Sequence, residues 1–303
     1  MEVRKAVSQH IFRQVWSAIS HLNPKDVRTM SERNVSVGLY ASNDQTFSQM
    51  ETFLCPEAMS RERRLQGFQH IYRACDSDRP ARFDIEIYEE GVRRPRGTFV
   101  YHSAAPDVTV GEILSARDDL ALPLARLSTP FRNQVSEKVI HEISRENALF
   151  SLATALPDIV PNVLQLPWAI GEFASDTAFL TVNQVRMAFL LAAASDRVIG
   201  YSEQRGEIGS ILAGAFGWRA IARELAGKIP FGGGLIPKAA IAYAGTYVAG
   251  RVLERLYHEG YEFSRSERRL AYESAFEKGK RVAGELIQAF RAGRGAAPEN
   301  PAG

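Results

Sequence analysis

The sequence predicts an α+β chain that is mostly helical, with a small N-terminal α/β domain followed by an apolar multi-helix bundle. Two observations carry this reading. Charge is unevenly spread: 40 Asp, Glu, Lys and Arg residues fall in 1–146, 14 in 147–250 and 18 in 251–303. Strand-like runs fall before about residue 103, while helical apolar spacing dominates afterwards. The expected organisation is an amphipathic helix within 1–30, an α/β domain over 31–118, a helical domain over 119–291 and a disordered tail over 292–303.

Residues 3–22 place Val3, Val7, Ile11, Val15, Ile19 and Leu22 three or four apart, a helical stripe. It reads as a helix packed on its own domain, with a membrane-surface helix as the alternative. "NVSVGLYAS" is a strand, and a helix runs on to about Leu54. "SRERRLQGFQHIYRAC" (60–75) reads as one helix. "RFDIEIYEEG" alternates Phe83, Ile85 and Ile87 with Asp84, Glu86 and Tyr88, a half-buried strand. "RRPRG" is a turn and "TFVYHS" a third strand. The order strand, helix, strand, strand, helix suggests a small α/β sandwich.

Helix formers dominate from Leu114 to about Glu146, and Pro157, Pro161 and Pro167 then divide an apolar stretch. Residues 176–199 read as one helix with Phe179, Val182, Val185, Phe189 and Ala193 inward, and 203–226 as another. "KIPFGGGLIPK" is a break, for which Gly232, Gly233 and Gly234 are the candidate hinge. Lys238 opens a long helix in which Ala240, Ala244, Gly245 and Ala249 would allow close helix approach. Ser264 and Glu267 form a capping box for a last helix over roughly 265–291. Its expected inward face is Leu270, Ala275, Val282, Leu286 and Phe290.

Composition excludes several functions. The net charge of +2 implies no general attraction to polyanions, so nucleic acid is not an expected partner. Cys55 and Cys75 form no CxxC and are too few for a disulfide framework. The 6 histidines lack metal-ligand spacing, so no metal or cofactor is expected. "MEVRKAVSQHIFRQVW" has no continuous apolar segment, so a secretory signal is not expected. A membrane span needs about 20 mostly apolar residues. The longest charge-free runs of the middle zone are 159–171 and 239–250, which are short for that. A buried helical core and membrane association both remain open readings.

"VGLYASNDQTF" (37–47) has the layout of a strand feeding a helix, as a phosphate-binding loop does. Laid on G-x-x-x-x-G-K-[ST], Gly38 fits the first glycine, Asn43 replaces the second, Asp44 the lysine and Gln45 the hydroxyl residue. Asp44 would set a negative charge against phosphate. No DxxG and no NKxD follows, so the stretch reads as a degenerate GTPase-like scaffold or an unrelated α/β turn. No G-x-S-x-G elbow is present, and His102 near Asp84 or Asp107 reads as structural. No catalytic residue is assigned.

Polar residues in the apolar zone are the candidate interaction or structural positions: Asp158, Glu172, Asp176, Asn183, Gln184, Arg186 and Lys238. Buried charge must be paired, so Arg186 is expected to meet one of these acids and Asn183 to cap or bridge helices. The alternative is a polar interface for a partner or ligand.

"ALPDIVPNVLQLPWAIGEFASDTAFLTVNQVRMAFLLAAA" and "GAFGWRAIARELAGKIPFGGGLIPKAAIAYAGTYVAGRVLERLY" resemble the bacterial YcjF-like, GTPase-associated domain of unknown function, over roughly 147–285. The most specific pieces are the LP-rich start, Asn183-Gln184, "IPFGGGLIPKAAIAYAGTYVAG" and the aromatic end near Tyr257. These mark a fold, and the resemblance transfers no catalytic residue. It implies a bacterial cytoplasmic protein or one at the cytoplasmic face of the inner membrane. It further implies a GTPase or other protein as partner, and a membrane surface as a possible second contact; a homo-oligomer is also compatible. The expected function is therefore a non-enzymatic interaction or scaffold protein. The alternatives are a nucleotide-binding switch with a degenerate P-loop, or a soluble enzyme with a pocket in the helical domain.

Overall fold

A computed structural model describes residues 17, 19, 20, 22–155, 176–213 and 234–295, with the backbone alone at 176 and 291–295. Most described residues are helical, beside one small parallel sheet. The chain divides into two compact units. An α/β unit holds Pro24–Lys138 with Leu190–Gly200, and a helical unit holds Met1–Asn23, Val139–Phe189 and Tyr201–Gly303.

In the α/β unit, α1 (Pro24–Ser31) begins at a proline, which suits a first helical turn. Most of the expected N-terminal helix lies outside the described residues. Four strands follow: β1 (Val37–Tyr40), β2 (Ile71–Arg73), β3 (Ile85–Glu89) and β4 (Phe99–Tyr101). All pair in parallel in the order β2-β1-β3-β4, with Val37 opposite both Ile71 and Ile85, and Ile87 opposite Phe99. Between them lie α2 (Asp44–Leu54) and α3 (Arg61–Phe68), and after them α4 (Pro106–Ala116) and α5 (Ala121–Leu127).

Two local expectations change here. The segment 60–75 is not one helix: α3 stops at Phe68, and Ile71–Arg73 becomes the strand beside β1. "HIYR" has the β-branched and aromatic character that suits a strand, and pairing with β1 supplies the backbone partners. Tyr88, expected on a solvent face, is buried and stacks on Tyr40 with ring centroids 4.2 Å apart. β3 is an interior strand of a parallel sheet, and such strands are covered on both faces.

In the helical unit, α6 (Thr129–Ala153) and α7 (Asp176–Ala194) contribute residues, and α8 (Leu235–Glu259) packs along α9 (Arg265–Gly295). The expected helix over 176–199 ends at Ala194, and residues 205–213 are helical as expected for part of 203–226. Phe179, Val182, Val185, Phe189 and Ala193 are all buried. Tyr243 is enclosed by Ala148, Leu152, Val282 and Leu286, and the Phe150 and Phe179 rings stack at 3.8 Å. Leu270, expected inward on α9, is 66% exposed. It lies in the second turn, beyond the buried stripe that begins at Tyr272 and Ala275. The last helix also continues through Gly295, four residues past its expected end at 291.

Small residues set how closely α8 and α9 approach. A Cβ added at Gly279 would lie 2.9 Å from the Ala240 carbonyl oxygen and 3.0 Å from the Ala240 Cα. At Gly250 it would meet Ile140 Cγ1 at 2.7 Å and Met187 Sδ at 2.9 Å. Gly245, by contrast, faces open space. The α8–α9 turn uses Gly260 at φ 83°, a left-handed cap that favours glycine. The capping box forms as expected: Glu267 N donates to Ser264 Oγ at 3.3 Å, and Ser264 N donates to Glu267 Oε2 at 2.8 Å.

Candidate functional site

The strand-to-helix turn after β1 is where a nucleotide-binding fold would hold phosphate. The sheet order reverses beside it, because β1 lies between β2 and β3. The turn itself is short. β1 ends at Tyr40, Asn43 is the helix N-cap, and α2 begins at Asp44. Gly38 lies inside β1 and not in the turn. The space above its Cα is filled by the Phe83 ring, 2.4 Å from where a Cβ would stand. Its glycine is required by packing, so the match to the first P-loop glycine does not hold. Asn43 has extended backbone, and its Oδ1 accepts from Thr46 N at 2.9 Å, the ordinary N-cap arrangement. Asp44 is exposed and approached by Arg73 Nη1 at 3.4 Å.

A carboxylate of the chain itself sits in this turn. Glu89, at the end of β3, accepts from Ser42 N at 2.6 Å, Ser42 Oγ at 2.7 Å and Thr46 Oγ1 at 3.1 Å. The Ser42 hydroxyl first, then the Ser42 N–H, hold its carboxyl below the usual range, with burial opposing. Backbone and hydroxyl donors that would serve a phosphate are therefore directed at an internal anion. Beside it, Arg73 grips Glu51 through Nε at 2.7 Å and Nη2 at 2.9 Å, its guanidinium 5.3 Å from the Phe47 ring centroid. Sequence reading missed Glu89 because its link to Ser42 spans 47 residues. Its position at the end of β3 was the available signal.

The helical unit gathers polar residues of α6, α7 and α8 into one buried chain. Asn183 Nδ2 donates to Asn147 Oδ1 at 2.9 Å, and Asn147 Nδ2 donates to Thr246 Oγ1 at 2.8 Å. Gln184 Nε2 reaches the same Thr246 hydroxyl at 3.4 Å. Arg186 Nη2 lies 3.0 Å from both carboxylate oxygens of Glu146. Asn183 thus bridges helices as expected. The partner of Arg186 is Glu146 on α6 and not one of the acids singled out in the sequence. A charge paired across packed helices satisfies the demand for a counterion, and in the sequence Glu146 stood only at the end of the helix-forming run from Leu114. His141 Nδ1 and the Tyr243 hydroxyl make a further cross-helix bond of 2.8 Å.

Of the remaining candidate positions, Lys238 and Gly234 are described. Lys238 is exposed on α8 and donates to Thr154 Oγ1 at 3.2 Å. Gly234 is the N-cap of α8 with φ −67° and ψ 164°, extended backbone that any residue adopts. Asp158, Glu172, Gly232 and Gly233 lie outside the described residues, as does the side chain of Asp176. Among the described residues, no group of three His, Cys, Asp or Glu side chains is arranged to hold a metal.

The chain matches no family model, no curated protein and no solved structure. The YcjF-like resemblance therefore stands on the quoted residues alone.

Proposed function

We propose that this chain is a non-enzymatic interaction protein, with a nucleotide-fold-like α/β unit whose phosphate seat is closed by its own Glu89. The observation that carries this reading is the three-donor grip on Glu89 by Ser42 and Thr46. A phosphate entering there would meet a fixed negative charge and lose its donors. The parallel sheet with β1 in its interior supports descent of the unit from a GTPase-like scaffold. The polar residues of the helical unit hold helices in register, which supports a scaffold over a catalyst. In this reading the YcjF-like helical unit meets a GTPase or other protein, in the bacterial cytoplasm or against the inner membrane.

The membrane part draws little support from the described helices. Among the described residues, one window, Thr177–Ala194, is long and apolar enough to cross, and 72% of it is buried in protein. Peripheral contact is the form of membrane association that fits best.

Calorimetry tests the core of the reading. GTP and ATP, each with and without magnesium, are expected to give no binding heat. Saturable heat that disappears on Ser42→Ala would replace the proposal with a nucleotide-dependent switch. Flotation with liposomes tests the location, and protein remaining wholly at the bottom of the gradient would remove the membrane from the reading.

A further inference from the structure

A second polar site lies in the α/β unit, at the opposite ends of the strands from the Glu89 turn. It is a cleft of about 200 Å³ beside Val35, just before β1, and His70, just before β2. Its charged walls are Glu32, Arg33, Arg63, Arg126 and Asp196. We propose that this cleft binds a small phosphate-bearing anion between the guanidinium groups of Arg63 and Arg126. The inference does not rest on the interaction-protein reading, since the cleft shares no residue with the Glu89 turn.

The argument begins at Asp196, which breaks two local rules. It follows the end of α7 with φ 55°, the one non-glycine residue at positive φ among those described. Arg197 N donates to Ala192 O at 2.9 Å and Asp196 N to Ala193 O at 3.1 Å. Those two bonds define a Schellman turn with Asp196 in the left-handed position that glycine usually holds. A side chain there costs about 1 kcal/mol. Its carboxylate also stands at the negative end of a helix, where the backbone dipole favours cations. Residues that defy local preference in this way tend to mark functional places.

Arginines offset the charge. Arg126 places Nη2 and Nε at 2.8 and 3.1 Å from Asp196 Oδ1, and Arg63 approaches Oδ2 at 3.5 Å. Behind them Arg132 donates to the carbonyls of Ala194 at 3.0 Å, Ala125 at 3.3 Å and Arg126 at 3.4 Å. Burial first, and then the neighbouring Arg63 charge, pull Arg132 below its ordinary value, with Asp196 opposing. Glu32 is 3.8 Å from Arg126. Arg33 is engaged by Asp84 and Asp119 at 3.6 and 3.1 Å. Arg63 and Arg126 therefore balance Asp196 and the more distant Glu32 at the cleft wall, with the Arg132 charge behind it, so removing the Asp196 charge leaves the cleft positive.

The Arg63 and Arg126 side chains keep 38% and 27% of their surface exposed, so solvent reaches both. Planar guanidinium forks match phosphate oxygens in pairs. The cleft is smaller than the 300 Å³ or more of usual ligand pockets, so it suits a phosphate group with a few attached atoms. Asp196 acts as the internal anion that separates the two arginines until the ligand displaces it.

The test uses the full chain and inorganic phosphate, read by calorimetry in a phosphate-free buffer. Asp196→Asn keeps a residue that tolerates the left-handed turn and removes the competing charge. It is expected to bind phosphate at least tenfold more tightly than the natural chain. Arg63→Gln in that background is expected to lose at least tenfold. Glycerol phosphate and phosphatidate vesicles, run in parallel, separate a soluble phosphoester from a lipid headgroup. The proposal is overturned if folded Asp196→Asn binds phosphate no better than the natural chain, or if Arg63→Gln changes nothing. Should Asp196→Asn fail to fold by circular dichroism, Asp196→Gly, which relieves the turn, takes its place, and the same gain or absence of gain supports or overturns the proposal.

Discussion

Gly279→Ala offers a quantitative check on the helical unit, with Gly245→Ala as its internal control. Both glycines lie within helices, so each substitution gains about 0.8–1.0 kcal/mol of helix propensity. They differ in what the new methyl group meets. At Gly245 nothing lies within 4 Å. At Gly279 the methyl carbon would stand 2.9 Å from Ala240 O, 3.0 Å from Ala240 Cα and 3.1 Å from Tyr243 Cβ. Carbon contacts prefer about 3.5–4.0 Å, so α8 and α9 would have to part by roughly 0.5–1 Å at this point. Two of the three obstructing atoms belong to the backbone and cannot rotate away. Such overpacking costs about 1–3 kcal/mol. The propensity gain cancels between the two variants, so their stability difference isolates the steric cost. Urea unfolding followed by circular dichroism at 222 nm should place Gly245→Ala above the natural protein and about 1–3 kcal/mol above Gly279→Ala. Equal midpoint shifts for the two variants would refute the close approach of α8 and α9.

Three further outcomes follow from the same packing and charges. Glu146→Gln should destabilise by about 2–3 kcal/mol, because it leaves the Arg186 charge half-buried without its counterion; Glu146→Leu combined with Arg186→Met should recover most of that in urea melts. Burial first, offset in part by Arg64, pushes the Cys55 thiol up to about 11, while Cys75 is exposed. A chromogenic disulfide reagent at pH 8 should therefore titrate one thiol in the native protein and two in denaturant, and two fast native thiols would contradict the burial of Cys55. Arg255 first, then the Ser264 hydroxyl, hold the Glu267 carboxyl down to about 2 from an ordinary 4.5. A depressed carboxylate stabilises the folded state above its ordinary range and loses that effect as pH falls toward 2. The gap in melting temperature between the natural chain and Glu267→Gln should accordingly shrink between pH 5 and pH 2, and a constant gap would sink the assignment.

Periodicity was enough to read α7 and the buried part of α9. Phe179, Val182, Val185 and Phe189 recur on one helical face, and that spacing is a local property of the chain. The capping box at Ser264 and Glu267 was equally legible, since both partners lie within one turn. The same local logic failed at 60–75, where a helical propensity yielded to pairing with β1. It also misread Gly38, whose need for glycine comes from Phe83, 45 residues later in the chain.

The sequence by itself determined most element types outside 60–75, the missing P-loop lysine and the presence of polar residues among apolar helices. Which partners those residues meet was decided only by the tertiary structure. Glu89 closes the turn at Ser42 across 47 residues, and Arg186 finds Glu146 across 40. Arg126 reaches Asp196 across 70. Charge pairing and steric fit act over a few ångströms in space, and chain order carries no record of which distant residues folding brings that close.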